Sequence, residues 1–263
     1  MAGKPGRFQR GFTLIELLII IAIIGILVSI VMPKLKRTPT PQPPKEAKPV
    51  EAVKGPWPPI DNAVAPTQAE AMLRKNYYVI LDGSGSMRDQ GCSGDVSKFA
   101  SAVGALNDFF AGVPPDANVG LLIFDEIGFS ERVPLGTGNR AQLQSQLGLA
   151  HPGGGTPLSS AIEQGYKSLT RQASQQLGYG EYHMVVVTDG EASKGYDPTP
   201  VVNSILEDSA IVIRTLGYCI GTGHSLNQPG RTLYSAVDDA QSLTRELRAV
   251  LAEAETFDVS QFK

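Results

Sequence analysis

"YYVILDGSGSMRDQ", Tyr77 to Gln90, runs an apolar stretch straight into one carboxylate and two hydroxyls spaced two apart, with glycine between them. The unbroken run Tyr77 to Leu81 reads as a strand buried on both faces, because a strand with one wet face alternates. Three further runs share that character: "NVGLLIF" (118–124), "YHMVVV" (182–187) and "IVIRTLGYCI" (211–220). Helical spacing occupies the intervals. Val96, Phe99, Ala100, Val103, Leu106 and Phe110 recur three and four apart behind a cap at Asp95. Leu158, Ala161, Ile162, Tyr166 and Leu169 do the same behind Pro157, which suits a first helical position. A third helix is expected from Thr199 and a last one from Ala240 to Glu255. The alternation predicts an α/β domain, a doubly wound and mainly parallel sheet with helices on both faces.

On such a sheet ligands bind outside the carboxyl ends of the strands, and "DGSGS" follows the end of the first central strand. Thr156 in "GGGTPL", at a helix start, and Asp189 in "VVVTDGE", at another strand end, are predicted at the same edge. Alternate residues of an extended chain point the same way, so Asp82, Ser84 and Ser86 converge once Gly83 and Gly85 let the backbone turn. A set of hydroxyl and carboxylate oxygens suits a small hard cation. The pattern D-x-S-x-S, a distant Thr and then Asp resembles the metal-ion-dependent adhesion site of von Willebrand factor type A domains. The resemblance spans about Asn76 to Glu255 and fills all five positions of the motif. It implies a Rossmann-like fold and bound Mg²⁺ or Mn²⁺. Ser84 and Ser86 would ligate the ion directly, Thr156 directly or through water, and Asp82 and Asp189 would supply charge, often through water. Such an ion, held mainly by neutral oxygens, would recruit a carboxylate from a protein partner.

The chain opens differently from a soluble enzyme. Phe12 to Met32 is apolar except for Thr13, Glu16 and Ser29, and as a helix reaches about 30 Å, enough to cross a bilayer. Glu16 is informative, since a carboxylate in an apolar span is costly and usually kept for a function. "RGFTLIELLIIIAIIGIL" resembles the N-terminus of a type IV prepilin. That resemblance implies cleavage by a prepilin peptidase between Gly11 and Phe12, release of residues 1–11 as a leader, and methylation of the new amino group. Glu16 becomes the fifth mature residue and pairs with the Phe12 amino group of a neighbouring pilin subunit. A plain uncleaved anchor and a cleaved secretory signal are the competing readings. The apolar run exceeds the usual signal core, and no small-x-small site follows it.

Between the span (12–32) and the folded domain (73–263) lies a proline-rich linker (33–72). Ten of the nineteen prolines fall between Pro33 and Pro66, which predicts an extended spacer with a reach on the order of 100 Å. This departs from ordinary pilins, whose first helix continues into the head. Trp57, inside the spacer, is assigned no role.

Charge and composition exclude several classes. Before Asn76 stand 11 basic and 5 acidic side chains, leaving 12 and 21 after it, a net of −9 that argues against nucleic acid and suits cations. "GSGSMR" is followed by no G-K-[ST], so a phosphate loop is not expected. Asp82 stands where a hydrolase elbow needs glycine, and with no visible pairing of nucleophile and base the chain is not read as an enzyme. His183 reads as a packing residue, His151 and His224 as loop residues at the carboxyl edge, and Asp125 as a solvated strand-end carboxylate or part of the site's rim. For Cys92 and Cys219, a disulfide and a buried free thiol at Cys219 are both open.

These readings converge on a single-pass protein of the inner membrane with its C-terminal domain outside the cytoplasm or at the cell surface. Its expected role is a minor pilin or pilus-associated adhesin. A membrane-anchored scaffold that binds a protein partner through the same site, without entering a filament, is the alternative.

Overall fold

In chain order the elements are α1 (Ala69–Met72), β1 (Lys75–Asp82), a 3-10 turn (Gly85–Arg88), α2 (Lys98–Gly112), β2 (Asn118–Asp125), β3 (Gly128–Gly136), α3 (Arg140–Leu149), α4 (Leu158–Gln175), β4 (Glu181–Thr188), α5 (Thr199–Asp208), β5 (Ile211–Tyr218), β6 (Leu233–Val237) and α6 (Ala240–Glu255). They are seen in a computed structural model that describes residues 56–59 and 64–255. Gly11, Phe12, Glu16, the span 12–32 and the linker up to residue 55 lie outside the described residues. Among the described residues no helix is long and apolar enough to cross a membrane.

Among the described residues six strands form one sheet, in the order β3-β2-β1-β4-β5-β6. All neighbours are parallel except β2 and β3, an antiparallel hairpin at one edge. The chain leaves β1 towards β2 and later returns to its other side as β4. The strand order therefore reverses at β1, which opens a crevice at its carboxyl end.

Alternation along β1 feeds two cores. Tyr77, Val79 and Leu81 pack with Phe99, Leu106 and Phe109 of α2, Leu143 and Leu147 of α3, and Leu243 and Leu247 of α6. Tyr78 and Ile80 pack on the other face with Leu158, Ile162 and Leu169 of α4 and Val202 and Ile205 of α5. Both cores lie in the compact unit Glu46–Lys263. The doubly wound, mainly parallel sheet expected from the sequence is the observed fold.

Several local features differ from the sequence reading. The cap of α2 is Ser97, whose side chain accepts the Ala100 amide at 3.1 Å, rather than Asp95. Val96, placed on that helix by its spacing, precedes it and is half exposed. β5 stops at Tyr218, because Cys219 adopts a left-handed φ of 62° that no strand continues. Pro157 flanks α4 instead of opening it. The structure adds β3, α3 and β6, three peripheral elements of weak apolar pattern: β3 buries Val133 alone, and α3 only Leu143 and Leu147.

Trp57, to which the sequence assigned no role, docks on the domain. Its Nε1–H donates to Thr170 Oγ1 at 3.2 Å, and its ring meets Tyr182 edge-on at a centroid distance of 5.0 Å. Ser174 Oγ donates to Pro59 O at 3.3 Å, and the Thr67 amide to Gln175 O at 2.8 Å. Tyr182 lies near the start of β4 and Ser174 near the end of α4. The linker thus joins the amino edge of the sheet, separated from the DGSGS edge by the length of an eight-residue strand, about 25 Å.

Candidate metal centre

The carboxyl end of β1 gathers polar groups from four segments. Asp82 is fully buried; its Oδ1 accepts the Ser84 amide at 2.7 Å and its Oδ2 the Thr188 hydroxyl at 2.6 Å. Ser84 Oγ and Ser86 Oγ stand 3.1 Å apart, and Ser86 donates to Asp189 Oδ1 at 2.7 Å. Asp82, Ser84, Ser86 and Asp189 therefore form one continuous hydrogen-bonded set. Thr156, also buried, lies in a loop stitched to the same edge. The Gly85 amide donates to Gly154 O at 3.2 Å, and the Thr156 amide to Ser193 Oγ at 2.9 Å.

Gly83 is required by close approach, whereas a Cβ at Gly85 would meet only Gly154 O, at an ordinary 3.6 Å. A Cβ at Gly83 would meet Phe124 O at 2.8 Å and the Asp125 Cβ at 3.0 Å, so a side chain there would push β1 away from β2. The Gly83 amide bonds Phe124 O at 2.8 Å, and Gly83 O accepts from the Gly153 amide at 2.6 Å. The strand end is thereby pinned between β2 and the Thr156 loop.

Electrostatically the Asp82 side of the site is short of positive charge. Burial pushes the Asp82 carboxyl up to about 6, hydrogen bonds from Ser84 and Thr188 offset part of that, and Asp189 raises it further. Among the described residues, none of the groups shifting Asp82 is cationic. The donor set fits a small hard cation. Ser86 spends its proton on Asp189 and accepts from the Ser84 hydroxyl, which leaves it one lone pair and Ser84 both for a cation, and Asp82 is steadied by two donors.

Other side chains at this edge have clearer roles than the sequence suggested. Asp125 is not a solvated carboxylate but buried, with Oδ1 taking Arg132 Nη2 at 2.8 Å and the Ile127 amide at 3.2 Å. His224 is buried as well, not a solvated loop residue. Its Nδ1 accepts the Leu226 amide at 3.0 Å, which leaves the proton on Nε2 to donate to Gly190 O at 2.9 Å. His224 thus braces the loop after Asp189. His151 is exposed and contributes its carbonyl, which accepts the Glu126 amide at 3.1 Å. At the opposite, amino edge of the sheet, His183 is stacked on Tyr77 at 5.1 Å, and burial lowers its pKa.

Two contributions had no sequence signal. Thr188 looked like the last residue of an apolar strand, yet its hydroxyl holds Asp82. Lys98, on the first turn of α2, is buried and forms an ion pair with Asp189 Oδ2. Of the two readings open for the cysteines, the disulfide is the one observed: Cys92 and Cys219 are joined with Cα atoms 5.7 Å apart, tying the loop after DGSGS to the end of β5.

A sequence model described as the von Willebrand factor type A domain matches residues 76–252, and one described as a prokaryotic N-terminal methylation motif matches residues 6–32. Among solved structures the chain is similar to a von Willebrand factor type A protein from Catenulispora acidiphila, at 18% identity and TM-score 0.55, covering 68% of this chain and 42% of that one. It is also similar to the pilus adhesin SpaC from Lactobacillus rhamnosus GG, at 19% identity and TM-score 0.52, covering 72% and 31%. A third similarity is to proximal thread matrix protein 1 of the mussel byssus, with a zinc-occupied MIDAS motif, at 15% identity and TM-score 0.53, covering 69% and 48%. The chain spans less than half the length of each of these three, and likeness at such identity carries the fold alone. No curated protein matches the chain.

Proposed function

Starting from the fact that the chain belongs to the von Willebrand factor type A domain family, we propose that it is a pilin-like, membrane-inserted subunit that presents this domain to a protein partner, as a minor pilin or pilus-associated adhesin. One observation carries the reading. A methylation motif over residues 6–32 and a type A domain over residues 76–252 stand in a single chain, and the domain gathers the Asp82, Ser84, Ser86 and Asp189 oxygens at its switch point.

Ser84 and Ser86 are the residues that would hold a divalent cation directly, with Thr156 as a third oxygen and Asp82 and Asp189 as the charges balancing it. Mg²⁺ or Mn²⁺, when bound, supplies an electron-poor centre able to take a carboxylate from the partner. The chain's own contribution is to present the two hydroxyls with their protons directed inward, to hold Asp82 with Ser84 and Thr188, and to brace the Asp189 loop with His224. The zinc-occupied site of the byssus protein supports metal binding on this fold. The pilus adhesin among the similar structures supports the setting.

Processing and filament content test the reading. Coexpression with a prepilin peptidase should yield a chain beginning at methylated Phe12 by intact mass, and Gly11→Ala should block the cut. Glu16→Val should still insert in membranes yet be lost from sheared filaments, because the neighbour's amino group loses its counter-charge. Residues 1–11 still attached to surface-exposed protein would overturn the pilin assignment. Equal filament content for Glu16→Val and wild type would favour the scaffold.

A further inference from the structure

The proposed metal centre contains a cation of the protein's own. Lys98 reaches Asp189 from the first turn of α2, and both side chains are withdrawn from solvent, with 10% and 0% of their side-chain surface exposed. The lysine stem runs beneath the loop after DGSGS, where a Cβ built on Gly91 would lie 3.2 Å from its Cε. That loop is fixed from both sides: the Lys98 amide donates to Asp89 O at 2.9 Å, and Cys92 is tied to Cys219. The ammonium is therefore positioned by covalent and hydrogen-bonded structure. It is no surface lysine that happens to have bent inward.

The consequence is electrostatic. Both carboxylate oxygens of Asp189 are engaged, Oδ1 by Ser86 and Oδ2 by Lys98. Of the two aspartates at the centre, only Asp82 lacks a cationic neighbour. A divalent ion entering the centre meets a net protein charge of −1 in place of −2, and it shares Asp189 with an ammonium that does not leave. We infer that Lys98 is a resident counter-ion of the metal site. It holds the metal-free domain together, lowers the affinity for the divalent cation, and leaves the bound cation short of negative charge, which strengthens its demand for an anionic ligand. This rests on the metal-site reading above and adds a residue outside its five oxygens that sets its strength.

Titrating Mn²⁺ calorimetrically into the detergent-solubilised full chain tests it, with wild type, Lys98→Gln, Lys98→Met and Lys98→Arg compared. Loss of the nearby positive charge should tighten Mn²⁺ binding on the order of tenfold or more, since a unit charge a few ångströms away in a buried site is worth at least that much. Lys98→Arg, which keeps the charge, should bind like wild type. In EDTA the neutral variants should melt below wild type, because Asp189 is left buried without its counter-charge, and saturating Mn²⁺ should close that gap. If Lys98→Met folds only when Mn²⁺ is present, the inference stands. Failure to fold at any Mn²⁺ concentration, together with unchanged or weaker binding by Lys98→Gln, overturns it. Absence of Mn²⁺ binding in wild type and variants alike would refute the metal-site reading itself, so the two failures are distinct.

Discussion

Replacing Cys92 with alanine opens the disulfide that closes 127 residues of chain, from the loop after DGSGS to the end of β5. A cross-link of that length removes about 16 cal/mol/K of loop entropy from the unfolded chain, or about 5 kcal/mol at room temperature. Typical domains have only about 5–15 kcal/mol in total, so the loss should be large. The assay is urea unfolding of the compact unit Glu46–Lys263 by circular dichroism, wild type against Cys92→Ala, with reduced wild type as a second comparison. Both perturbed forms should lose several kcal/mol and agree with each other to about 1 kcal/mol. Cys219 also sits at φ 62°, where a Cβ costs about 1–2 kcal/mol. In a Cys92→Ala background, Cys219→Gly should therefore be more stable than Cys219→Ala by about that amount. A loss below about 1 kcal/mol on opening the bridge would refute the reasoning, since the loop would then be held by its hydrogen bonds alone.

In EDTA, stability should depend on pH through Asp82. Its folded-state pKa is raised to about 6, so its contribution is fully present below about pH 4 and is lost as pH rises towards 6 and beyond; Asp82→Asn should flatten that slope in a urea midpoint series. Metal binding should show the opposite trend and weaken as pH falls below about 6, because the ion must displace the proton. Trp57→Ala should cost about 2 kcal/mol by thermal unfolding, for a half-buried indole that also loses its bond to Thr170. His224→Phe should keep the stacking on Tyr234 but free Gly190 O, costing about 1 kcal/mol and weakening Mn²⁺ binding in the same calorimeter.

The sheet was legible because its central strands are buried on both faces, and "YYVIL" and "NVGLLIF" leave no other reading of so continuous an apolar run. α2 and α4 were legible through three- and four-residue spacing, although α2 starts after Val96, which that spacing had placed on it. β3 was not, because a hairpin edge strand with one buried residue carries almost no period. The five oxygens stood out as types and spacings, but the groups that hold them did not. Thr188 is hidden in an apolar strand, Lys98 reads as an ordinary first-turn lysine, and His224 reaches Gly190 across 34 residues. The Cys92–Cys219 bridge and the docking of Trp57 are likewise contacts across more than a hundred residues, fixed by tertiary geometry alone.

Titration of Mg²⁺ or Mn²⁺ into the full chain against Ser84→Ala combined with Ser86→Ala tests the central claim most directly. Each substitution removes an oxygen without touching either core. Wild type should bind one ion and gain thermal stability, about 2.7 kcal/mol at a hundredfold excess over Kd. The double variant should bind none while melting within a few degrees of wild type in EDTA. Equal heats and equal shifts in both proteins would contradict the account and leave the serines as a turn without a cation.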